Sequence, residues 1–417
     1  MKLHNNIIIK ISSIVKDRNS FLYLFLKRVY FNVSYFLFAD KKFTYEIQNG
    51  ITDNIVLKEN AEHFIGYYHH IPWSYDDKFL AINSITDKEK LTVNILDLDS
   101  KKIIFSDSTD LWNFQQGPML GWLPSSHTVY YNKVIDGTHK TVLYNIVNKK
   151  FSYYKLPIQT VHPNSNSYLS INYSKLYEVN RDYGYKHQCK EMSKRNIGIW
   201  SCSFNNRNPR LLVSIESMNE INPKYEISIK NEFNHCLFSN NGEHFVFIYR
   251  YTINKTKYSK LILANFDSKN IKLRVVNDSF ISHMCWIDND NLFYFGDYSN
   301  LGIGYYTYNI LTDNVEKVMS ENINDGHPSI ALGGKWIVID SYPDSQYNSH
   351  LYIYNFETKE VINIGKFKSN IKFHGYNRCD LHPRWNNAGD KVIIDSSHMQ
   401  RRHPILIDLK RIINGKK

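Results

Sequence analysis

Residues 233–250 read FNHCLFSNNGEHFVFIYR. A histidine-bearing opening runs into a turn rich in Ser, Asn and Gly, and then into a strand of aromatic and β-branched residues suited to a pleated, half-buried surface. The same succession recurs in HHIPWSYDDKFLAINS (69–84), LGWLPSSHTVYYN (120–132) and TVHPNSNSYLSINYS (160–174). It returns in SHMCWIDNDNLFYFG (282–296), DGHPSIALGGKWIVIDSY (325–342) and DLHPRWNNAGDKVIIDSSH (380–398). Anchored on Trp73, Trp122, His162, His235, His283, His327 and His382, the copies are 49, 40, 73, 48, 44 and 55 residues apart. Such a period accommodates one four-stranded blade per copy, so the pattern predicts an all-β, seven-bladed β-propeller.

The stretches between anchors support this reading. KLTVNILDLDSKKIIF, KTVLYNIVNKKFSYYKL, SKLILANFDSKNIKLRVV and HLYIYNFETKEVINIG have the length and alternation of outer strand pairs. The 73-residue interval holds a polar tract, 181–193, expected to be an insertion over one face. No linker divides the chain, which is expected to be a helical, aromatic-rich segment at 1–48 followed by the propeller at 49–417. Within the first segment, helical character runs over about 7–38. Its longest uncharged apolar run, 29–39, is too short to span a bilayer, so the segment is expected to dock on the propeller flank, with peripheral membrane contact as the other reading. No small-residue cleavage site follows a short apolar core, and five scattered cysteines lack any CxxC pair. Both features lead to the expectation of a cytoplasmic, reducing location.

The net charge of +11 suits a polyanionic partner. Interleaved basic and aromatic residues of a nucleic-acid module are missing, as are a Gly-rich phosphate loop, a nucleophile elbow and HExxH, which argues against nucleic acid as that partner and against a nucleotide enzyme, a serine hydrolase or a zincin.

In a propeller the first strand of each blade lines the channel, and the residues before it gather at one mouth. His69 and His70, His162, His235, His283, His327 and His382 therefore converge, and neutral imidazoles on a common axis can share a divalent metal such as manganese, iron, nickel or zinc. In YNRCDLHPRW, an extended chain sets Arg378, Asp380, His382 and Arg384 on one side, beside Asn377, as a metal and anion site or as an inter-blade salt bridge. Trp112, Gln115 and Gln116 of WNFQQG offer the stacking surface and amides that bind sugars, with Tyr67, Tyr68, Tyr173 and Arg181 as further candidates.

These openings resemble those of oligogalacturonate lyases, seven-bladed propellers related to the TolB-type repeat, over residues 233–408. The N-terminal motifs GYYHHIPW, WNFQQGPMLGWL and INYSKLYEVNRDYGY are also similar to bacterial propellers encoded beside surface-polysaccharide genes. The first resemblance implies an acidic glycan as ligand and a divalent metal at His283, His327 and His382. Asp380 and Asn377 stand where the family has a histidine and a glutamine. It implies β-elimination beside a uronate, with Tyr249 in the place of the proton-abstracting histidine, His235 as the other base, and Arg250, Arg378 or Arg384 assisting with the carboxylate. The competing reading is a non-catalytic propeller that binds glycan or scaffolds polysaccharide assembly.

Overall fold

The computed structural model describes the chain apart from residues 1–20, 58–60, 88–89, 190–196, 206–207, 223–229, 255, 267–270, 299–300, 320–322 and 416–417. Seven antiparallel sheets follow one another along the sequence, and each is one blade of a seven-bladed β-propeller. Blades 1 to 5 take their strands in order from 62–109, 121–154, 160–214, 231–277 and 281–318. Blades 6 and 7 are built from 328–368 and 384–408; an early strand is added to blade 6 as its fifth, and another supplies the fourth strand of blade 7. Strand β1 (Tyr45–Ile47) adds to the outer edge of blade 6, opposite 365–367, and β2 (Thr52–Ile55) adds to blade 7, opposite 405–408. The boundary expected at residue 48 thus falls between two strands that belong to different blades. Helix α1 (Phe21–Phe38) lies within the helical segment read at 7–38, whose first part is outside the described residues.

The blades share one motif. A backbone N–H just after each innermost strand closes the tight turn to the second strand, from Ser74, Leu123, His162, Ser239, Ile287, Ala331 and Asn386. This register corrects one expected equivalence. His235, His283, His327 and His382 all stand four residues before the turn residue, as does His70, whereas His162 is itself the turn residue at the opposite end of its strand. Its Nε2 meets the Gly242 carbonyl of the next blade at 3.2 Å, an inter-blade packing role away from the channel mouth.

Tryptophans preceding the turn pin neighbouring blades together. The indole N–H of Trp122 donates to the Pro72 carbonyl at 2.9 Å, that of Trp286 to Leu237 at 3.2 Å and that of Trp385 to Ser329 at 3.0 Å. Each bond joins one blade to its predecessor, so the apolar wedge between blades carries a directional bond as well as buried area. Trp286→Phe keeps most of the area and removes the indole donor to the Leu237 carbonyl. The expected loss is about 1–2 kcal/mol of stability, read as a lower urea midpoint at unchanged m.

Candidate functional site

The innermost strand of blade 1 is interrupted. Residues 62–64 pair with 83–85 and Trp73 pairs with Leu80, so 65–71 leave the sheet and enter the channel. Gly66 permits the departure: it has φ +114°, and a Cβ there would lie 3.0 Å from the Gln116 carbonyl oxygen. The excursion's polar backbone is satisfied by blade 7. Asp395 accepts from the Ile65 and Gly66 N–H groups at 2.8 and 3.3 Å, and the Arg384 guanidinium donates to the Gly66 and Tyr67 carbonyls. Arg384 is buried in this work, so it closes the ring between blades 7 and 1 and is not the substrate contact expected from its sequence position.

Tyr67 occupies the axis. Its ring centroid lies 5.1 Å from that of His235, 5.7 Å from His327 and 4.9 Å from His382, rings supplied by blades 4, 6 and 7. Tyr68 reaches blade 5, where its hydroxyl donates to the Met284 carbonyl at 3.0 Å and accepts from the Met284 N–H. That places Tyr68 as a strut of the channel, edge-on to His283 at 5.8 Å.

Local backbone geometry aims the histidines inward. Register shifts in the innermost strands of blades 4 and 5 fall at 234–237 and 281–284, so His235 and His283 lie in β-bulges, which re-aim side chains. His235 and His382 have φ of +54° and +43°, the left-handed region that non-glycine residues occupy only when their surroundings enforce it.

The rings of His283 and His382 lie 4.1 and 4.3 Å from that of His327. His327 is oriented by the buried carboxylate of Asp340, which takes its Nδ1 at 2.9 Å and its backbone N–H, and also accepts the His382 N–H at 3.0 Å. With Nδ1 engaged, His327 Nε2 is buried and unpartnered, as is His382 Nε2. These two residues and Asp380 can offer ligand atoms within 4.8 Å of one another. Two orphaned imidazole nitrogens beside a buried carboxylate that Arg378 holds, with a second carboxylate behind one imidazole, fit a divalent transition metal. His283 adjoins the group, with its Nδ1 on Asp325 at 2.9 Å and near Ser282 Oγ. Asn377 does not join it, because its side-chain oxygen and carbonyl both accept from Arg402.

Burial depresses the basicity of His235, His283 and His382, helped by nearby charge from Arg250, His327 and, for His382, Arg384, so these imidazoles are neutral near pH 7. Burial also disfavours charge on His327, but Asp340, Asp380 and Asp325 together outweigh it and raise its pKa.

The mouth is covered by the insertion in blade 3. Helix α2 (Tyr173–Val179) leads into residues 180–189, and Tyr183 packs edge-on against His235 at 4.6 Å. Residues 190–193 of the expected polar tract lie outside the described residues. Arg378 ties the cover down: it pairs with Asp182, meets Asp380 at 2.8 Å and donates to the Tyr183 hydroxyl at 3.3 Å. Burial opposes its charge, yet Asp380 and the surrounding groups keep it protonated. Arg250 is held by Glu232 at 3.0 Å and its charge acts on His235. Gln115 donates to the Arg378 carbonyl at 3.1 Å, and Asn113 donates to the Tyr183 carbonyl, so the 112–117 loop buttresses the mouth. Gln116 is buried close by with both amide atoms unpartnered.

Four other expected site residues lie elsewhere. Tyr249 is fully buried in the apolar core with Phe233 and Tyr251, and its hydroxyl bonds Asn231, which removes it as a base. Trp112 is half-buried against the core between blades 1 and 2, with Phe114 edge-on to its ring at 4.9 Å. Arg181 is exposed over Tyr177, and Tyr173 bonds the Ile158 carbonyl and Gln159 within blade 3. Residues the sequence reading did not select, Tyr183, Asp182, Asp325 and Asp340, complete the site. Only Asp340 left a signal, in the Asp that ends the strand after DGHPSI as Asp395 ends the one after DLHPRW.

No family model matches the chain, and no curated protein matches it in sequence. Solved structures do. The chain is similar to oligogalacturonate lyase in complex with manganese, at 13% identity and a TM-score of 0.67, over 89% of this chain and 97% of that one. It is similar to oligogalacturonate lyase from Vibrio parahaemolyticus at 13% identity and a TM-score of 0.63, over 87% and 96%. Hydrazine synthase of Kuenenia stuttgartiensis also matches, at 10% identity and a TM-score of 0.50, over 84% and 96%. These likenesses establish the seven-bladed propeller; so distant a relationship spans unlike chemistries and fixes the fold alone.

Two substitutions separate site from scaffold. Asp340→Asn removes the charge that orients His327 and, for a metal held at His327 and His382, is expected to weaken manganese binding about 10- to 100-fold by isothermal titration. Tyr249→Phe is expected to leave that affinity unchanged while lowering stability by about 1 kcal/mol in urea unfolding.

Proposed function

We propose that the protein is a metal-assisted lyase that cleaves a uronate-containing acidic oligosaccharide or polysaccharide by β-elimination. The observation that carries the reading is the pair of orphaned imidazole nitrogens of His327 and His382 beside Asp380, with Arg378 alongside and neutral His235 across the axis. Likeness in fold to a manganese-bound oligogalacturonate lyase supports it.

His327, His382 and Asp380 would hold the metal, with His283 adjoining. Bound there, the metal supplies Lewis-acid neutralisation of the uronate carboxylate. Arg378 is the cation that this chain adds, exchanging Asp182 for the substrate's carboxylate. His235 takes the ring proton next to the carboxylate; Arg250 and burial keep it unprotonated beforehand. As that C–H bond breaks, a carbon–carbon double bond forms in the ring and the glycosidic C–O bond at the neighbouring carbon cleaves. The leaving oxygen takes a proton from the hydroxyl of Tyr183, which faces the same space. Tyr67 forms the floor.

A second reading, a glycan-binding propeller without turnover, is favoured by one observation: Tyr183 and the Asp182–Arg378 pair cover the mouth. An ultraviolet assay for unsaturated uronate across a panel of acidic glycans, with manganese present, decides between them. Product is expected from at least one glycan, with His235→Ala lowering kcat by about 10²-fold or more at unchanged manganese content. His382→Ala should lose the metal. A flat trace on every glycan, with glycan binding intact, establishes the second reading.

A further inference from the structure

Helix α1 is amphipathic in an unusual sense, since it presents apolar groups on both sides. One side is docked. Ser34 is buried, the Tyr35 ring meets that of Tyr347 at 4.9 Å, and Lys368 reaches over Tyr35 to donate to the Asp40 carbonyl at 2.8 Å. The other side carries Val29, Val33, Phe36 and Leu37, which are 41, 51, 69 and 63% exposed. Their spacing of four, three and one places them in a single stripe along the helix. Lys41 rests its ammonium 3.9 Å over the Phe36 ring, at the rim of the stripe.

Charge identifies what covers the stripe. Residues 1–48 hold eight Lys or Arg against three Asp or Glu, in a chain whose net charge is +11. A second copy would set like charge on like charge, whereas a surface of anionic headgroups is complementary. No helix among the described residues is long and apolar enough to cross a membrane, and α1 contains Lys27 and Arg28. An apolar stripe with Lys41 at its rim, on a segment of net positive charge, is the pattern of a helix lying in the headgroup layer.

We infer that α1 is an interfacial anchor that binds an anionic phospholipid bilayer and holds the channel mouth toward it. The orientation follows from blade 6. Tyr347 lies in the 341–347 turn directly after Asp340, and Asp340 bonds His327 at the mouth, so α1 is docked on the same end of the blade as the candidate site. The inference stands independently of the proposed reaction.

Co-sedimentation of the full chain with lipid vesicles tests it. Binding is expected to vesicles of phosphatidylcholine with phosphatidylglycerol, much weaker to phosphatidylcholine alone, and reduced by salt. Phe36→Asp with Leu37→Asp alters exposed positions only. It is expected to lower the partition coefficient at least about tenfold while circular dichroism and manganese uptake stay as in the parent protein. Lys41→Glu with Lys42→Glu should reduce the preference for anionic vesicles. Absence of anionic-vesicle binding at low salt, or equal binding by the Phe36/Leu37 variant, overturns the inference. So does a dimer in lipid-free solution that this variant dissolves, because the stripe would then belong to a second copy.

Discussion

A propeller axis must be filled or lined, and here it is filled by chain. Residues 65–71 bring backbone N–H and carbonyl groups into the centre, where no sheet can pair them, and an unpaired buried amide costs as much as a lost hydrogen bond. Asp395 and Arg384, from blade 7, take up the groups of residues 65–67, and Asn83 of blade 1 donates to the Ile65 carbonyl. Everything at the mouth is built against that filled axis. Tyr67 gives His235, His327 and His382 a common wall, and Tyr68 bonds Met284 between His283 and the wedge of blade 5. A glycine at 66, a carboxylate at 395 and a guanidinium at 384 are therefore one unit, drawn from opposite ends of the sequence.

The blades were legible because each is a local event: an opening, a tight turn and an alternating strand within about twenty residues. Four of the inward histidines were legible for the same reason, since a fixed distance to the turn sets where a side chain faces. His162 shows how narrow that rule is. Its opening looks like the others, but the turn begins on the histidine itself, and the ring goes to the far end of the blade. Tyr249 failed on the alternation of a strand, which turned it to the core and away from the axis. Arg384 and Asn377 sit in a motif of the expected composition, yet long-range partners at Gly66, Tyr67 and Arg402 claim them. Tyr183 and Asp182 could not be read at all, because an insertion without periodicity gives no direction.

Covered and buried, the site joins two opposing demands. Burial keeps His235, His283 and His382 neutral, as a ligand or a base requires, but a channel sealed well enough to do so also resists entry of any charged ligand. The cover is fastened chiefly by a charge pair, Arg378 with Asp182, that an incoming carboxylate can replace like for like. Apolar fastening would offer an acid nothing to exchange. Gln115 and Asn113 hold the rest of the rim through backbone carbonyls, so the exchange need not disturb the loop that bears them.

Strands β1 and β2 are synthesised early but take their places at the outer edges of blades 6 and 7, against segments made last. Until residues 403–408 emerge, β2 has no partner and the ring has an open seam. Blade 7 therefore lacks its outer strand until those residues are made, whereas the docking site of α1 at Tyr347 and Lys368 is made earlier, with blade 6. A nascent chain of this design makes the apolar stripe of α1 well before the scaffold that will orient it, which gives a lipid surface or a chaperone first access.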